Sequence, residues 1–144
     1  MATYVKLGGF VEHLAEKVHN LGSDALTLAL TNTAPASEST PPTGATGTNI
    51  LANLTQITYT NLSSRLLTTS SSAQSAGTYS LVLADLVLTA SGAVGPFRYI
   101  YLYNDTPTSP ADPLIGYYDY GSSISLASGE TFTYDLGTEQ LTLA

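Results

Sequence analysis

Phe97-Arg98-Tyr99-Ile100-Tyr101-Leu102-Tyr103 is the stretch of the chain that decides its fold. Successive side chains of a β-strand point to opposite faces, so the odd-numbered residues share one face and the even-numbered residues share the other. Both faces are largely apolar, which is typical of a central strand that is covered on both sides. The sequence therefore predicts a layered β-domain organised around residues 97–103.

Other stretches of alternating apolar residues, separated by turn residues, surround this strand. They predict strands over residues 26–31, 56–60, 65–69, 78–90, 114–120, 131–136 and 140–143. Within the stretch 78–90 the apolar residues change parity at Asp85, so we expect a bulge or a tight turn there. Many short strands at regular spacing favour a single β-sandwich or jelly-roll-like domain over residues 1–144.

One amphipathic helix is predicted near the N-terminus, over residues 10–21. Its apolar stripe, at spacings of three and four residues, consists of Val11, Leu14, Ala15, Val18 and Leu21. Gly22 follows where a left-handed C-cap is common, and Gly8-Gly9 predicts a hinge after an N-terminal arm of residues 1–9. Residues 33–49 form a long loop rich in Pro, Gly, Ser and Thr, and loops of that length are usually functional or disordered.

The chain carries few charges: 10% of its residues are Asp, Glu, Lys or Arg, against about 25% in ordinary globular domains. The net charge is −7 with only four cationic side chains, too few to neutralise a nucleic-acid backbone or to bind an anionic membrane surface. The absence of cysteine excludes disulfides, thiolate zinc sites and thiol catalysis. The sequence has no secretory signal and no membrane-spanning run, so we expect synthesis in the cytoplasm.

The sequence gives little indication of metal binding by histidine or of nucleophilic catalysis by serine. His13 and His19 are the only histidines, and on a regular helix they would lie roughly 240° apart, so one metal ion could not take both. We expect both to face solvent. The clusters Ser63-Ser64 and Ser70-Ser71-Ser72 have no neighbouring base and no Gly-x-Ser-x-Gly elbow, which indicates turn and strand-edge serines.

Paired carboxylates are the best enzymatic alternative. The second half of the chain combines acids with many tyrosines, as glycoside-cleaving sites do; the acids are Asp105, Asp112, Asp119, Glu130 and Asp135. A calcium site within residues 104–112 is a further alternative, although the acids lack EF-hand spacing. The sequence favours turn-capping roles for Asp105 and Asp112, and it predicts no catalytic residue, no cofactor and no metal ligand.

Tyrosine is the most unusual component, because ten tyrosines exceed what a small core with its own Leu and Val residues requires. Tyrosine fills cores with its hydroxyl at the rim, and it is also enriched at subunit interfaces. Both interpretations stay open for the tyrosines of the second half, which are Tyr99, Tyr101, Tyr103, Tyr117, Tyr118 and Tyr120.

A series of local motifs runs along the chain. In the first half these are Tyr4-Val5-Lys6, Phe10-Val11-Glu12, Glu16-Lys17-Val18-His19-Asn20-Leu21-Gly22, residues 26–35 and Tyr59-Thr60-Asn61-Leu62-Ser63-Ser64-Arg65. In the second half they are Leu83-Ala84-Asp85-Leu86, Phe97-Arg98-Tyr99, Leu102-Tyr103-Asn104-Asp105, Leu114-Ile115-Gly116-Tyr117-Tyr118-Asp119-Tyr120-Gly121 and Gly129-Glu130-Thr131-Phe132. Over nearly its whole length the chain thereby resembles a group of small virion structural proteins of tailed phages, the head decoration or cement proteins. Residues 41–47 look like an insertion beyond that pattern.

The resemblance implies a non-enzymatic protein of the virion that binds the outer capsid surface, at three-fold positions, and stabilises the head. Its partners would be the major capsid protein and further copies of itself, with neither nucleic acid nor membrane among them. Closed cyclic symmetry makes a homotrimer the natural assembly. Modest contacts repeated across a shell add through multivalency, and a protein that binds only the assembled lattice stabilises it.

Flexible segments outside the core are where we expect the capsid and subunit contacts, namely the N-terminal arm and the loop 33–49. The candidate interface residues are Thr3, Tyr4, Val5, Lys6, Tyr117, Tyr118 and Tyr120. We expect a chain that lacks residues 2–7 to fold and to lose its capsid binding. The alternative function is a tail or fibre component that contacts carbohydrate, which the acidic and tyrosine-rich second half suggests.

Overall fold

The computed structural model describes residues 4–35, 49–137 and 140–144. The fold is mainly β, with 52% strand and 9% helix, several antiparallel sheets and one short helix, which confirms the predicted β-sandwich-like class. The elements are β1 (Tyr4–Lys6), α1 (Gly8–Ala15), β2 (Leu26–Thr31), β3 (Thr69–Ser75), β4 (Thr78–Leu83), β5 (Leu86–Thr89), β6 (Val94–Asn104), β7 (Leu114–Leu126), β8 (Thr131–Tyr134) and β9 (Leu141–Leu143). No helix among the described residues is long and apolar enough to cross a membrane.

Two layers of antiparallel strands build the domain. The first layer is a four-stranded sheet in the order β1-β7-β6-β2. The second layer consists of the sheets β3-β4-β9 and β5-β8. These two sheets follow one another along the chain, because β4 leads into β5 and β8 leads into β9. Their buried leucines join those of β2 and β6 in one apolar cluster between the layers.

The central strand β6 is covered on both faces, as predicted. Ile100 and Leu102 belong to the cluster between the layers. The tyrosines of β6 lie in a second cluster on the opposite face, together with Leu7, Leu54 and Tyr117. A short 3₁₀ turn at Leu51–Asn53 helps to cover this outer cluster.

The predicted faces of β6 are wrong at one residue, Phe97. The register of β6 against β7 shifts on both sides of Phe97, between Val94 and Phe97 and again between Phe97 and Tyr99. Because a bulge adds a residue to one strand, it reverses the faces of the residues that precede it. Phe97 therefore leaves the tyrosine face and packs in the cluster between the layers, edge-on to Phe132 with ring centroids 5.7 Å apart.

The change of parity at Asp85 corresponds to an interruption of the strand. β4 ends at Leu83 and β5 begins at Leu86, and leucines on both sides of the gap face the same core. The Asp85 carboxylate accepts a hydrogen bond from the Leu136 N–H at 2.9 Å. A side-chain acceptor thus replaces the backbone partner that the interrupted ladder lacks.

The strands predicted over residues 56–60 and 65–69 are not formed as such. This segment makes only isolated bridges to β2, from Gln56 and Leu66, and regular pairing starts at Thr69. One reason is that the Tyr59 hydroxyl accepts the Leu30 N–H at 2.9 Å and so occupies a site where a neighbouring strand would pair. The segment nevertheless covers the outer edge of β2.

The predicted helix is shorter than expected and buries a different face. It spans Gly8–Ala15 and buries Phe10, whereas Val11 is 51% exposed. Lys17 has a φ of 63°, and the Val18 N–H bonds the His13 carbonyl at 2.9 Å. This is the hydrogen-bond pattern of a Schellman motif, so the left-handed cap lies at Lys17 and not at Gly22.

In the N-terminal arm, residues 4–6 form a strand of the first sheet and the predicted hinge Gly8-Gly9 begins the helix α1, which corrects the prediction of a free arm on a hinge. Tyr4–Lys6 pair with residues 116–118 of β7. The Tyr4 side chain lies against Gly116, where an added Cβ would be 2.3 Å from the nearest Tyr4 atoms. Removing residues 2–7 would therefore remove a strand, so the folded deletion variant is no longer expected. The central residues of the predicted loop 33–49, residues 36–48, lie outside the described ranges.

The contact between Gly116 and Tyr4 can be tested by Gly116→Ala. We expect the substitution to lower the free energy of unfolding by about 1–3 kcal/mol, because the methyl group would displace the partly buried Tyr4 ring from its contact with Gly116. Urea denaturation measures the change. Gly8→Ala is the matched control, since nothing lies within 4 Å of its added Cβ. Equal stabilities of the two variants would contradict the contact.

Candidate functional site

A groove of about 350 Å³ opens where β7 faces β8 across the two layers. The first layer contributes Ile100, Tyr118 and Tyr120, and the second contributes residues 131–135. At the other edge of the first sheet, the segment 56–67 covers β2. The groove lies on the side where no described strand covers β7 beyond its pairing with β1, and we call this side the open side.

Four of the eight residues that line the groove are aromatic. Tyr120 and Phe132 meet edge to face with ring centroids 5.8 Å apart, and Tyr118 meets Tyr134 in the same manner at 5.1 Å. Tyr134 is buried, whereas Tyr120 is 51% exposed. Because these rings stand on paired strands, they offer a large and rigid contact area with little entropy left to lose on binding.

A second cavity, of about 340 Å³, continues along the same side between β1 and β9. It is lined by Tyr4 and Lys6 from the arm strand and by residues 140–142. The Tyr118 hydroxyl donates to Gln140 Oε1 at 3.2 Å and so links the layers between the two cavities. The Tyr4 and Tyr118 rings are 5.4 Å apart, which makes the aromatic surface continuous from β1 to β7.

Tyr4, Tyr118 and Tyr134 are not acids or bases at neutral pH. Burial raises the pKa of the Tyr4 hydroxyl, and the neighbouring Tyr118 raises it further. Burial also raises the pKa of Tyr118 and that of Tyr134. Their hydroxyls therefore stay protonated at neutral pH, and the Tyr118 hydroxyl acts as a hydrogen-bond donor.

The predicted interface residues divide into three groups. Tyr4, Tyr118 and Tyr120 come together on the open side, with Lys6 beside them. Val5 and Tyr117 point to the opposite face of the sheet and join the outer cluster, where Tyr117 is 4% exposed. A buried residue has no surface to offer, so Tyr117 is corrected from interface candidate to core residue. Thr3 lies outside the described ranges.

Phe132 and Thr133 are groove residues that the sequence did not single out as a site. The stretch 131–136 predicted a strand, and β8 forms within it. The available signal was the alternation of threonine with aromatic residues, Thr131-Phe132-Thr133-Tyr134. It indicates one aromatic face, but it cannot indicate which strand that face meets.

Ionic contacts at the rim are local. Arg98 holds Asp119 by two hydrogen bonds, Nε to Oδ1 at 2.7 Å and Nη2 to Oδ2 at 2.8 Å. These bonds lower the pKa of Asp119. Asp135 lines the groove and accepts the Gly137 N–H at 2.9 Å. Since Asp119 is already paired, Asp135 is the groove carboxylate to which a partner would present a cation or a hydrogen-bond donor.

The five acids considered for glycoside cleavage do not converge on the groove. Asp105 and Asp112 interact with each other, and the pKa of Asp112 is raised by burial first and by Asp105 second. Glu130 accepts the Ala127 N–H at 2.7 Å within a turn. Of the five, Asp135 alone lines the groove. Among the described residues no group of three or more His, Asp or Glu could hold a metal ion.

The two histidines are buried, which corrects the expectation that they face solvent. The helix ends before His19, so the chain folds back and brings the two rings to a centroid distance of 6.1 Å. Asn104 Nδ2 lies 3.1 Å from His19 Nδ1 and donates to Asp24 Oδ2 at 2.6 Å. Burial lowers the pKa of His19 to about 4, and His13 lowers it further while Asp24 opposes the shift.

The lowered pKa of His19 predicts a loss of stability in mild acid. The unfolded histidine takes up a proton near pH 6.5, whereas the folded one does so only near pH 4. The unfolded state therefore binds more protons between these values, and the free energy of unfolding should fall by about 1–2 kcal/mol from pH 7 to pH 5. Urea titrations of the wild type and of His19→Gln measure this. A variant that loses as much stability as the wild type would contradict the assignment.

Comparison with known proteins adds no assignment: no protein-family model, no curated protein and no solved structure matches the chain.

Proposed function

We propose that the chain is a non-enzymatic decoration protein of a tailed-phage capsid, which binds the outer capsid surface at three-fold positions and stabilises the head. The observation that carries the proposal is the aromatic groove on the open side of the sandwich. Tyr120, Tyr118 and Phe132 present rigid apolar area there without converging catalytic groups. The sequence resemblance to decoration proteins, which spans nearly the whole chain, supports the same function.

Charge supports a protein partner for this groove. The chain has a net charge of −7, and two of its four cationic side chains are engaged internally. Arg98 pairs with Asp119, and the Arg65 guanidinium stacks over the Tyr59 ring at 3.6 Å while it donates to the Leu28 carbonyl. A capsid segment with exposed Lys or Arg near an apolar patch would complement both Asp135 and the aromatic wall.

Capsid binding is tested with particles assembled without this chain, mixed with the purified protein and examined by sedimentation and electron cryomicroscopy. We expect the protein to cosediment and to occupy regular positions on the shell. Tyr120→Ala should weaken binding about tenfold or more, because a central aromatic contact is lost. Leu66→Ala is the matched control, since Leu66 is equally exposed, at 51%, but lies beside β2.

Two results would contradict the proposal. One is a protein that stays in the lysate and is absent from purified virions. The other is a protein that turns over a soluble substrate, because decoration requires no chemistry.

The alternative function, a tail or fibre component that contacts carbohydrate, is favoured by one observation. The exposed Tyr120 and the half-buried Phe132 lie beside Asp135 and two threonine hydroxyls in the same groove, and sugar rings combine apolar faces with hydroxyl groups. A glycan array would show saturable binding that Tyr120→Ala abolishes. A blank array together with decorated capsids would decide against it.

A further inference from the structure

The strand β3 forms an outer edge of the second layer. It pairs with β4 on one side, and no described strand pairs with its other side. Six of its seven residues are exposed, so β3 buries little within its own chain. The backbone N–H and C=O groups along such an edge are a template for pairing with a further strand.

The other edges of the domain are covered, charged or short, and the edge strands β5, β8 and β9 have only three or four residues each. The edge of β2 is covered by the segment 56–67, and β1 carries Lys6. Beyond the part that pairs with β1, the edge of β7 carries the charged Asp119 and then Gly121, whose φ is 91°. β3 has no charged residue and no proline, and its register is regular from Ser71 onward. Charges, prolines and bulges are the devices that keep natural edges apart.

The charge distribution indicates which partner fits this edge. Residues 66–84, which include β3 and β4, contain no charged side chain, although the whole chain carries a net charge of −7. Two copies that repel each other elsewhere can meet at β3 without opposing like charges. An antiparallel pair of identical strands also places small uncharged side chains, Ser, Ala and Gln, opposite one another across the axis.

We propose that β3 pairs with β3 of a second copy of the chain, antiparallel about a two-fold axis. The sheet β9-β4-β3 then continues into the partner and doubles its number of strands. Seven residues is an ordinary length for a paired strand. The inference does not depend on capsid binding. On a shell with copies at three-fold positions, such a contact would join neighbouring positions.

The test is the solution mass of the wild type and of the variant Ser71→Lys/Ala73→Lys, measured by analytical ultracentrifugation over a range of concentrations. Both residues are exposed and lie on the same face of β3, whereas Ser72 between them bonds the Tyr79 hydroxyl at 2.8 Å and is left unchanged. The two lysines change the net charge from −7 to −5, which weakens the general repulsion between copies but opposes like charges at this edge. We expect the wild type to have at least twice the mass of the variant.

The control is Thr58→Lys/Thr60→Lys, which adds the same charge at two exposed positions outside β3. It should keep the mass of the wild type. The proposal is overturned if the wild type and the β3 variant have the same mass, or if the control loses mass as the β3 variant does. Circular dichroism of all three proteins establishes that each is folded.

Discussion

Alternate side chains of β6 enter two separate apolar clusters, one between the layers and one on the outer face of the first sheet. A strand that is apolar on both faces is stable only when both faces are removed from water. This requires a second layer on one face and a covering segment on the other. The second layer supplies one cover. Leu7 at the end of the arm strand, together with Leu51 and Leu54, supplies the other.

The groove is open because the two edges of the first sheet are covered to different extents. On the side of β2 the segment 56–67 closes the edge with backbone bonds and with the Tyr59 hydroxyl. On the side of β7 the short strand β1 reaches only as far as Tyr118, and beyond it no described strand pairs with this edge of β7. The aromatic rings of Tyr120 and Phe132 remain partly in water there. The proposed binding surface is thus a part of the same apolar core that no described strand covers.

Several ionisable side chains stabilise the fold through hydrogen bonds or burial. Asp85 accepts a backbone N–H at a break between two strands, and Glu130 does the same within a turn. Arg65 supports the segment along β2 through the Leu28 carbonyl. His19 is held neutral by burial beside Asn104. Because polar groups inside a domain need partners, a charge-poor chain uses its few ionisable residues to satisfy backbone and side-chain neighbours.

Sequence patterns located strands well where one periodicity persisted, as in residues 26–31 and 114–120. They failed where a local event changed the phase. The bulges around Phe97 transfer this ring to the other face, and the left-handed Lys17 ends the helix before the predicted stripe is complete. Gln56–Thr60 has the alternation of a strand, but a tyrosine side chain occupies the ladder position. Such events depend on contacts between residues distant in sequence, which periodicity does not contain.

The sequence by itself determined the β class, the central strand with two buried faces, the break at Asp85 and the scarcity of groups for catalysis, because these depend on composition and on local alternation. Only the tertiary structure decided which tyrosines are core and which are surface, since Tyr117 and Tyr118 are adjacent in sequence and differ only in the layer that each one meets. It also decided that the arm is a strand, that the histidines are buried and that the groove lies between β7 and β8. The physical reason is that burial is a property of the assembled layers, and a strand's own pattern cannot state which partner covers each face.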